Sequence, residues 1–423
     1  MKPILVGGGA MAEGMGPLRI LHATPFVPFP PDSGGKLVPY HHAVGLTRRG
    51  HELTLVAPIR RTGDLDGVRE LSREIACAPV PCRPVSRGMT AWRFLGAGES
   101  IRIARHRYPA VEREVKRLLA RGGFDLVLLD SLFTAYLIPL LRRAAPRTPL
   151  VLVDHNVESS LFERYLAGKP FPVRAAGRLE LARIRRAEGK GAGEADRVLV
   201  LSGRDREELG GLAPGARIHV LPPGAPVRPG EAIPPPERPG IVLFLGSYRW
   251  APNREAARWL ADAVFPIVRR AVPSAELRIA GDDPNGTVGD LHRPESGIHV
   301  LGRVDDAAET VRAAAIFVVP LRVGGGVRLK ILEAMANERP VVSTALGVEG
   351  IPCRNGEHLL VADDAESIAG GIVSLIRDEG AAASIARAGR SLVEREFGWN
   401  RIVERLEAIL LETARGRQER LTS

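Results

Sequence analysis

Short apolar runs recur along the chain, separated by stretches of helical period. In the first half they fall at Leu18–His22, Glu52–Ala57, Leu126–Asp130, Leu150–Asp154 and Arg197–Leu201. In the second half they fall at Ile241–Leu245, Leu277–Ala280, Ile298–Leu301, Ile316–Pro320 and Val341–Ser343. Most are continuous rather than alternating, as expected of parallel strands buried on both faces. Strand–helix alternation predicts an α/β doubly wound parallel sheet, and here the pattern runs twice. Between the two runs, Leu221–Gly240 carries eight prolines. Proline cannot pair inside a sheet and stiffens a connection, so a domain boundary is expected there.

The expected organisation is a Rossmann-like domain over 17–222, a Pro-rich linker over 223–240 and a second Rossmann-like domain over 241–397. A C-terminal helix over 398–423 follows. Its stripe of Ile402, Leu406, Ile409 and Leu410 predicts that it packs back on the first domain. Residues 1–16 read as a disordered extension. Two such domains predict a cleft between them, with ligands beyond the carboxyl ends of the strands.

Composition narrows the function classes. The 423 residues are 45% hydrophobic and 26% charged, within the soluble globular range. A net charge of +10 favours anionic partners. Three cysteines without metal-site spacing argue against a disulfide framework and fit a reducing, cytoplasmic setting. The longest apolar run, Leu126–Leu141, is too short and too polar to span a bilayer. Gly7–Gly9 lacks dinucleotide-loop spacing, and no GxGxxG follows a strand, which argues against an oxidoreductase. Nucleic-acid binding has only the charge in its favour.

Four constellations could carry chemistry. After the Ile316–Pro320 run comes Gly324-Gly325-Gly326, then Arg328, Lys330 and Glu333 at the start of a helix. Glycines let a ligand approach the backbone, and a helix N-terminus suits a phosphate. Arg328 and Lys330 in the first turn oppose the helix dipole unless an anion binds there. Lys330 and Glu333 share a face. The second constellation, Pro25 to Lys36, contains Gly34, Gly35 and Lys36 where a helix follows the first strand. The third is Asp154-His155-Asn156 at a strand end, where a histidine can orient a ligand or move a proton. The fourth is Gly246-Ser247-Tyr248-Arg249-Trp250, a glycine turn with Arg249 available for phosphate; Asn253 reads either as part of it or as a helix cap. In addition, residues 164–190 hold eight Lys or Arg against two Glu. That basic amphipathic stretch reads as a solvated face or as a peripheral contact with anionic membrane.

Together these residues resemble glycosyltransferase family 4, the retaining GT-B enzymes that use nucleotide sugars. The similarity runs over nearly the whole chain after about residue 17. Its sharpest part is Gly324 to Thr344, which resembles a bacterial subgroup with a GGGxRLKxLEAMA donor motif. The resemblance implies a sugar transfer from a nucleotide-diphosphate-sugar donor, with no metal and no other cofactor, to a glycan, lipid-linked or small-molecule acceptor. It implies that Glu333 binds the donor ribose, Arg328 and Lys330 clamp the diphosphate, and Arg303 and Val304 flank the nucleobase. Gly35 would lie beside the donor phosphates, with Gly34, Lys36 and Asn156 on the acceptor side, and His155 would face the transferred sugar. Gly246, Ser247, Arg249 and the backbone of Gly324–Gly326 would complete the donor site. One departure stands out: Gly325 occupies the place of the first Glu of the family's E-x7-E motif. A nucleotide-sugar epimerase and a nucleotide-binding GT-B protein without transferase activity are the alternative readings.

Overall fold

The computed structural model describes residues 16–283 and 285–422, with side chains to Gly416. Residues 1–15, where most of the expected N-terminal extension falls, lie outside the described residues. The chain divides into two compact units. Of the described residues, one holds those up to Pro222 together with those from Asn400 onward, and the other holds those from Pro223 to Trp399.

The first unit carries seven parallel strands: β1 (Arg19–Ala23), β2 (Glu52–Ile59), β3 (Ala76–Pro81), β4 (Leu126–Asp130), β5 (Leu150–Asp154), β6 (Arg197–Val200) and β7 (Ile218–Val220). They lie in the order β3-β2-β1-β4-β5-β6-β7, with Leu21 opposite Thr54 and Val127. The second unit carries β8 (Ile241–Leu245), β9 (Glu276–Ala280), β10 (Ile298–Gly302), β11 (Ile316–Val319), β12 (Val341–Ser343) and β13 (Leu360–Val361). Their order is β10-β9-β8-β11-β12-β13. In each sheet the chain winds outward one way from the central strand and then the other. That places a topological switch point between β1 and β4, and another between β8 and β11.

The central strands are buried on both faces, so their apolar runs are unbroken. The three strands that the hydrophobic pattern did not predict, β3, β7 and β13, all lie at sheet edges. β3 contains Pro79 and Pro81, which an edge tolerates because a strand there bonds on one side only. β7 and β13 are three and two residues long.

The Pro-rich segment is bound to the second unit rather than spanning open solvent. Ala225 N–H donates to Phe397 O at 2.7 Å, Glu237 N–H donates to Ala313 O at 3.0 Å, and Arg339 donates to the Pro234 carbonyl. The C-terminal helix, Trp399–Thr422, docks on the first unit. A Cβ on Gly45 would lie 2.5 Å from Val403 Cγ2, so the glycine admits the helix at close range. The buried Glu407 accepts from Arg49 Nε at 2.7 Å and from His51 Nε2 at 2.9 Å. His51 Nδ1 accepts from Leu18 N–H, which leaves Nε2 as the protonated nitrogen.

Candidate active site

In the second unit, the loops leaving β8 and β11 meet at the switch point. β8 is followed by Gly246 and Ser247, then the helix Ala251–Trp259 begins with Trp250 as its N-cap. β11 is followed by Pro320, and Gly324 (φ 129°) and Gly326 (φ 80°) bend the chain into the helix Leu329–Ala336. These φ values favour glycine over L side chains. The helix starts without a side-chain cap and without an acid in its first turn. It therefore presents backbone N–H groups and a partial positive charge with nothing built in to neutralise them.

Lys330 stands in that first turn. Its Nζ donates to Asn253 Oδ1 at 3.2 Å and lies 4.8 Å from the centre of the Phe244 ring. Burial against these groups pulls its pKa down to about 7, the nearby Arg328 pushes the same way, and Glu333 opposes both. Burial raises the Glu333 carboxyl above its ordinary value, with Lys330 opposing. Asn253 is thus no N-cap. It bridges the two loops, its Nδ2 donating to Ser247 O at 2.8 Å. A side chain at Gly246 would meet this bridge, since a Cβ there would sit 2.9 Å from Lys330 Nζ. The bare backbone at 246 is a requirement of the lysine's position.

Arg328 is the N-cap residue and not part of the first turn. Its guanidinium turns back to donate to the carbonyls of Gly325 and Gly326 and lies 5.5 Å from the centre of the Trp250 ring. It fastens the triple-glycine loop. Gly324 gives it room: a Cβ there would lie 2.9 Å from both Arg328 Nη2 and Trp250 Cη2. Arg249 pairs with Asp282, Nε to Oδ2 at 2.6 Å, on the exposed side of the β8 loop. Arg303 and Val304 follow β10, whose last residue Gly302 accepts from Gly281 N–H at 2.7 Å, and Gly281 lies against the Gly246 carbonyl. Among the described residues no group of three or more His, Cys, Asp or Glu is placed to hold a metal ion.

In the first unit, His155 is one arm of a buried His–Asp–His system. Asp130, the last residue of β4, takes His22 Nε2 at 2.9 Å on one oxygen and pairs with His155 Nε2 through the other. Burial alone would raise the Asp130 carboxyl, but the contacts to His155 and His22 outweigh it and hold the group below the usual carboxylate range. An ionised Asp130 accepts from both rings, which leaves Nδ1 of His155 as the nitrogen available to a ligand. His42, on the helix Gly34–Arg48, is also buried, and burial lowers its pKa to about 3, so it stays neutral.

The next residue after Asp130, Ser131, has φ 72° and ψ 151°, a region otherwise almost reserved for glycine. Strain of about 1–3 kcal/mol stored here marks the β4 terminus as a built feature. Behind His155, the buried Asp154 carboxyl is raised well above its ordinary value by burial and by Glu188, Glu158 and Asp205. Burial likewise lifts Glu188 to about 7. Gly34, Gly35 and Lys36 form the first turn of the helix after β1, and Lys36 Nζ pairs with Asp32 Oδ1 at 3.2 Å. Asn156 follows His155, half-buried. Sequence reasoning missed His22 and Asp130. Their signal was a polar residue closing an apolar strand that ends at the switch point.

Residues 239–378 match the family model described as Glycosyl transferases group 1, and residues 33–228 match Glycosyltransferase Family 4. The chain belongs to the family 4, group 1 glycosyltransferases. This glycosyltransferase is 27% identical over 397 residues to phosphatidyl-myo-inositol mannosyltransferase of Mycobacterium tuberculosis, covering 90% of this chain and 97% of the relative. Among solved structures, sucrose-phosphate synthase from Thermosynechococcus elongatus superposes with a TM-score of 0.68 at 16% identity, over 96% of this chain and 100% of the other. Anabaena HepE in complex with UDP gives 0.67 at 14%, over 93% and 100%. At those identities the structures speak for the fold, which is GT-B. The comparisons do not favour the epimerase or the non-catalytic reading.

Proposed function

We propose that this glycosyltransferase takes its sugar from a nucleotide-diphosphate donor and passes it, with retention and without a metal, to a glycan or lipid-linked acceptor. The observation that carries the reading is Lys330, a cation lowered to about 7 beside a helix N-terminus that has neither cap nor acid. A lysine in such surroundings costs stability unless an anion joins it. A pyrophosphate bound across the Leu329–Ala336 N-terminus would accept from Lys330 Nζ and the first-turn N–H groups. Those donors neutralise the charge that gathers on the departing nucleoside diphosphate, and such preorganised stabilisation is usually the largest catalytic term. Arg328 holds the loop in shape, and Glu333 faces the donor ribose. Asp130 fixes His155 so that Nδ1 meets a hydroxyl of the transferred sugar. Gly325 makes the sugar contact through its backbone where relatives in the family use a carboxylate.

The UDP bound to HepE and the phosphatidyl-inositol named in the mycobacterial relative are consistent with such a donor and with a glycolipid acceptor. A thermal-shift screen of UDP, GDP, ADP and their sugars tests the donor. One base should raise the melting temperature, and Lys330→Met should abolish that rise. Indifference of the protein to every nucleotide would refute the reading.

A further inference from the structure

The short helix Arg87–Leu95 is built inside out. Its inward face carries Thr90 and Arg93, both buried. Arg93 Nη1 donates to Ala104 O at 2.8 Å and Arg107 O at 2.9 Å, and Thr90 Oγ1 donates to Ser86 O at 3.0 Å. The polar groups thus spend themselves on the protein. The outward positions, three apart, are Met89, Trp92 and Leu95, with Trp92 64% and Leu95 77% exposed. A soluble domain has no packing reason to place its largest side chains outward on a helix whose arginine faces in.

This helix is fastened to the long helix Phe171–Glu194. Arg183 lies 3.8 Å from the centre of the Phe94 ring and donates to Phe94 O at 2.6 Å. Glu180 accepts from Ser100 Oγ at 2.7 Å and from the N–H groups of Ile101 and Arg102. Leu179 is one turn before Arg183 and 51% exposed, so it extends the apolar surface along the same side. Phe171, 69% exposed, stands at the start of that helix. Around them cations outnumber acids: residues 164–190 hold eight cations and residues 83–107 hold six arginines. Five of these fourteen pair with carboxylates, Arg102 with Glu158, Arg107 with Glu99 and Glu112, Arg164 with Glu208, Arg185 with Glu163 and Lys190 with Glu194, which leaves the balance of the region positive. Arg174 and Arg178 are on the same helix as Leu179.

We propose that this face of the first unit docks on an anionic lipid bilayer, with Trp92, Leu95 and Phe171 in the headgroup boundary and the arginines on the phosphates. Apolar anchors interleaved with cations match that surface. Among the described residues no helix is long and apolar enough to cross a membrane, so the contact is peripheral. Such docking would deliver the protein to a lipid-linked acceptor; that consequence rests on the transfer reading, whereas the binding itself does not.

The test is co-sedimentation of the full chain with vesicles of phosphatidylcholine alone and of phosphatidylcholine mixed equally with phosphatidylglycerol. Binding is expected to the mixed vesicles, weakened by high salt and weakened about tenfold or more by Trp92→Ser with Leu95→Ser. Both side chains are exposed, so the melting temperature and any donor-induced shift should not move. Arg174→Glu with Arg178→Glu should weaken binding without touching the apolar anchors. Equal binding to both vesicle types, or binding unchanged in the serine variant, overturns the proposal. So would a dimer in solution that the serine variant dissolves, which would give the face to a second copy of the chain. Vesicle binding without transfer to any acceptor would sink the transfer reading and leave the surface standing.

Discussion

Replacing Lys330 by methionine removes one charge from a half-buried site and keeps the aliphatic stem. In the empty protein the lysine titrates near 7, because burial disfavours its ammonium form. At pH 7 about half the molecules carry the charge, and at pH 9 about one in a hundred do. If the donor pyrophosphate binds only beside the ammonium, affinity falls about tenfold, ~1.4 kcal/mol, for each pH unit well above 7. From pH 7 to 9 the charged fraction drops from about one half to about one in a hundred, so the Kd should rise about fiftyfold. Binding at pH 7 should take up about half a proton, and close to one at pH 8.5. Calorimetric titration with an intact nucleotide sugar, in buffers of different ionisation enthalpy, reads both quantities. The sugar diester does not itself titrate in this range.

The sign for stability runs the other way. A lysine whose pKa drops on folding binds fewer protons folded than unfolded, so wild-type stability increases between pH 7 and 10.5. The drop from 10.5 to about 7 corresponds to at most ~5 kcal/mol. Lys330→Met should thus melt higher than wild type at pH 7, with the gap closing at higher pH, while losing the donor. A Kd unchanged between pH 7 and 9, or the same profile in the methionine variant, refutes the role given to Lys330.

Other residues give sharper local tests. Asp130→Asn offers one acceptor and one donor where two rings now share a carboxylate, so His155 loses its fixed tautomer; kcat should fall about a hundredfold with donor Kd unchanged. Nitrogen-15 NMR of the His155 ring should show the altered tautomer. Glu407→Ala leaves Arg49 and His51 without their shared carboxylate, and should cost ~3–5 kcal/mol in chemical denaturation. Glu188 keeps its proton up to about 7 when folded, above its ordinary 4.5, so wild type loses stability as pH climbs through that window. Glu188→Gln should melt higher than wild type at pH 8, by ~3 kcal/mol, and match it at pH 4.5.

The doubly wound architecture was legible because a strand buried on both faces must be apolar throughout, and β4, β5, β8 and β11 write that rule without interruption. β3 was not, because an edge strand tolerates Pro79 and Pro81. The glycine loops could be placed at strand ends, since their φ requirement is local. What joins them is not local: Asn253 and Lys330 are 77 positions apart, and His22 and Asp130 are 108. No periodicity encodes such pairings. Arg328 illustrates a further limit, for the residue type was right while its direction, back onto the Gly325 and Gly326 carbonyls, depends on the loop's own bend. The outward face of Arg87–Leu95 was hidden for a related reason: which side of a short amphipathic helix faces the protein is decided by Arg93 reaching carbonyls more than ten residues away.

A crystal structure with an uncleaved nucleotide sugar tests the central claim most directly. The pyrophosphate oxygens should stand within hydrogen-bonding distance of Lys330 Nζ and of the N–H groups opening the Leu329–Ala336 helix. Density for the nucleotide elsewhere, with Lys330 still held only by Asn253, would contradict it.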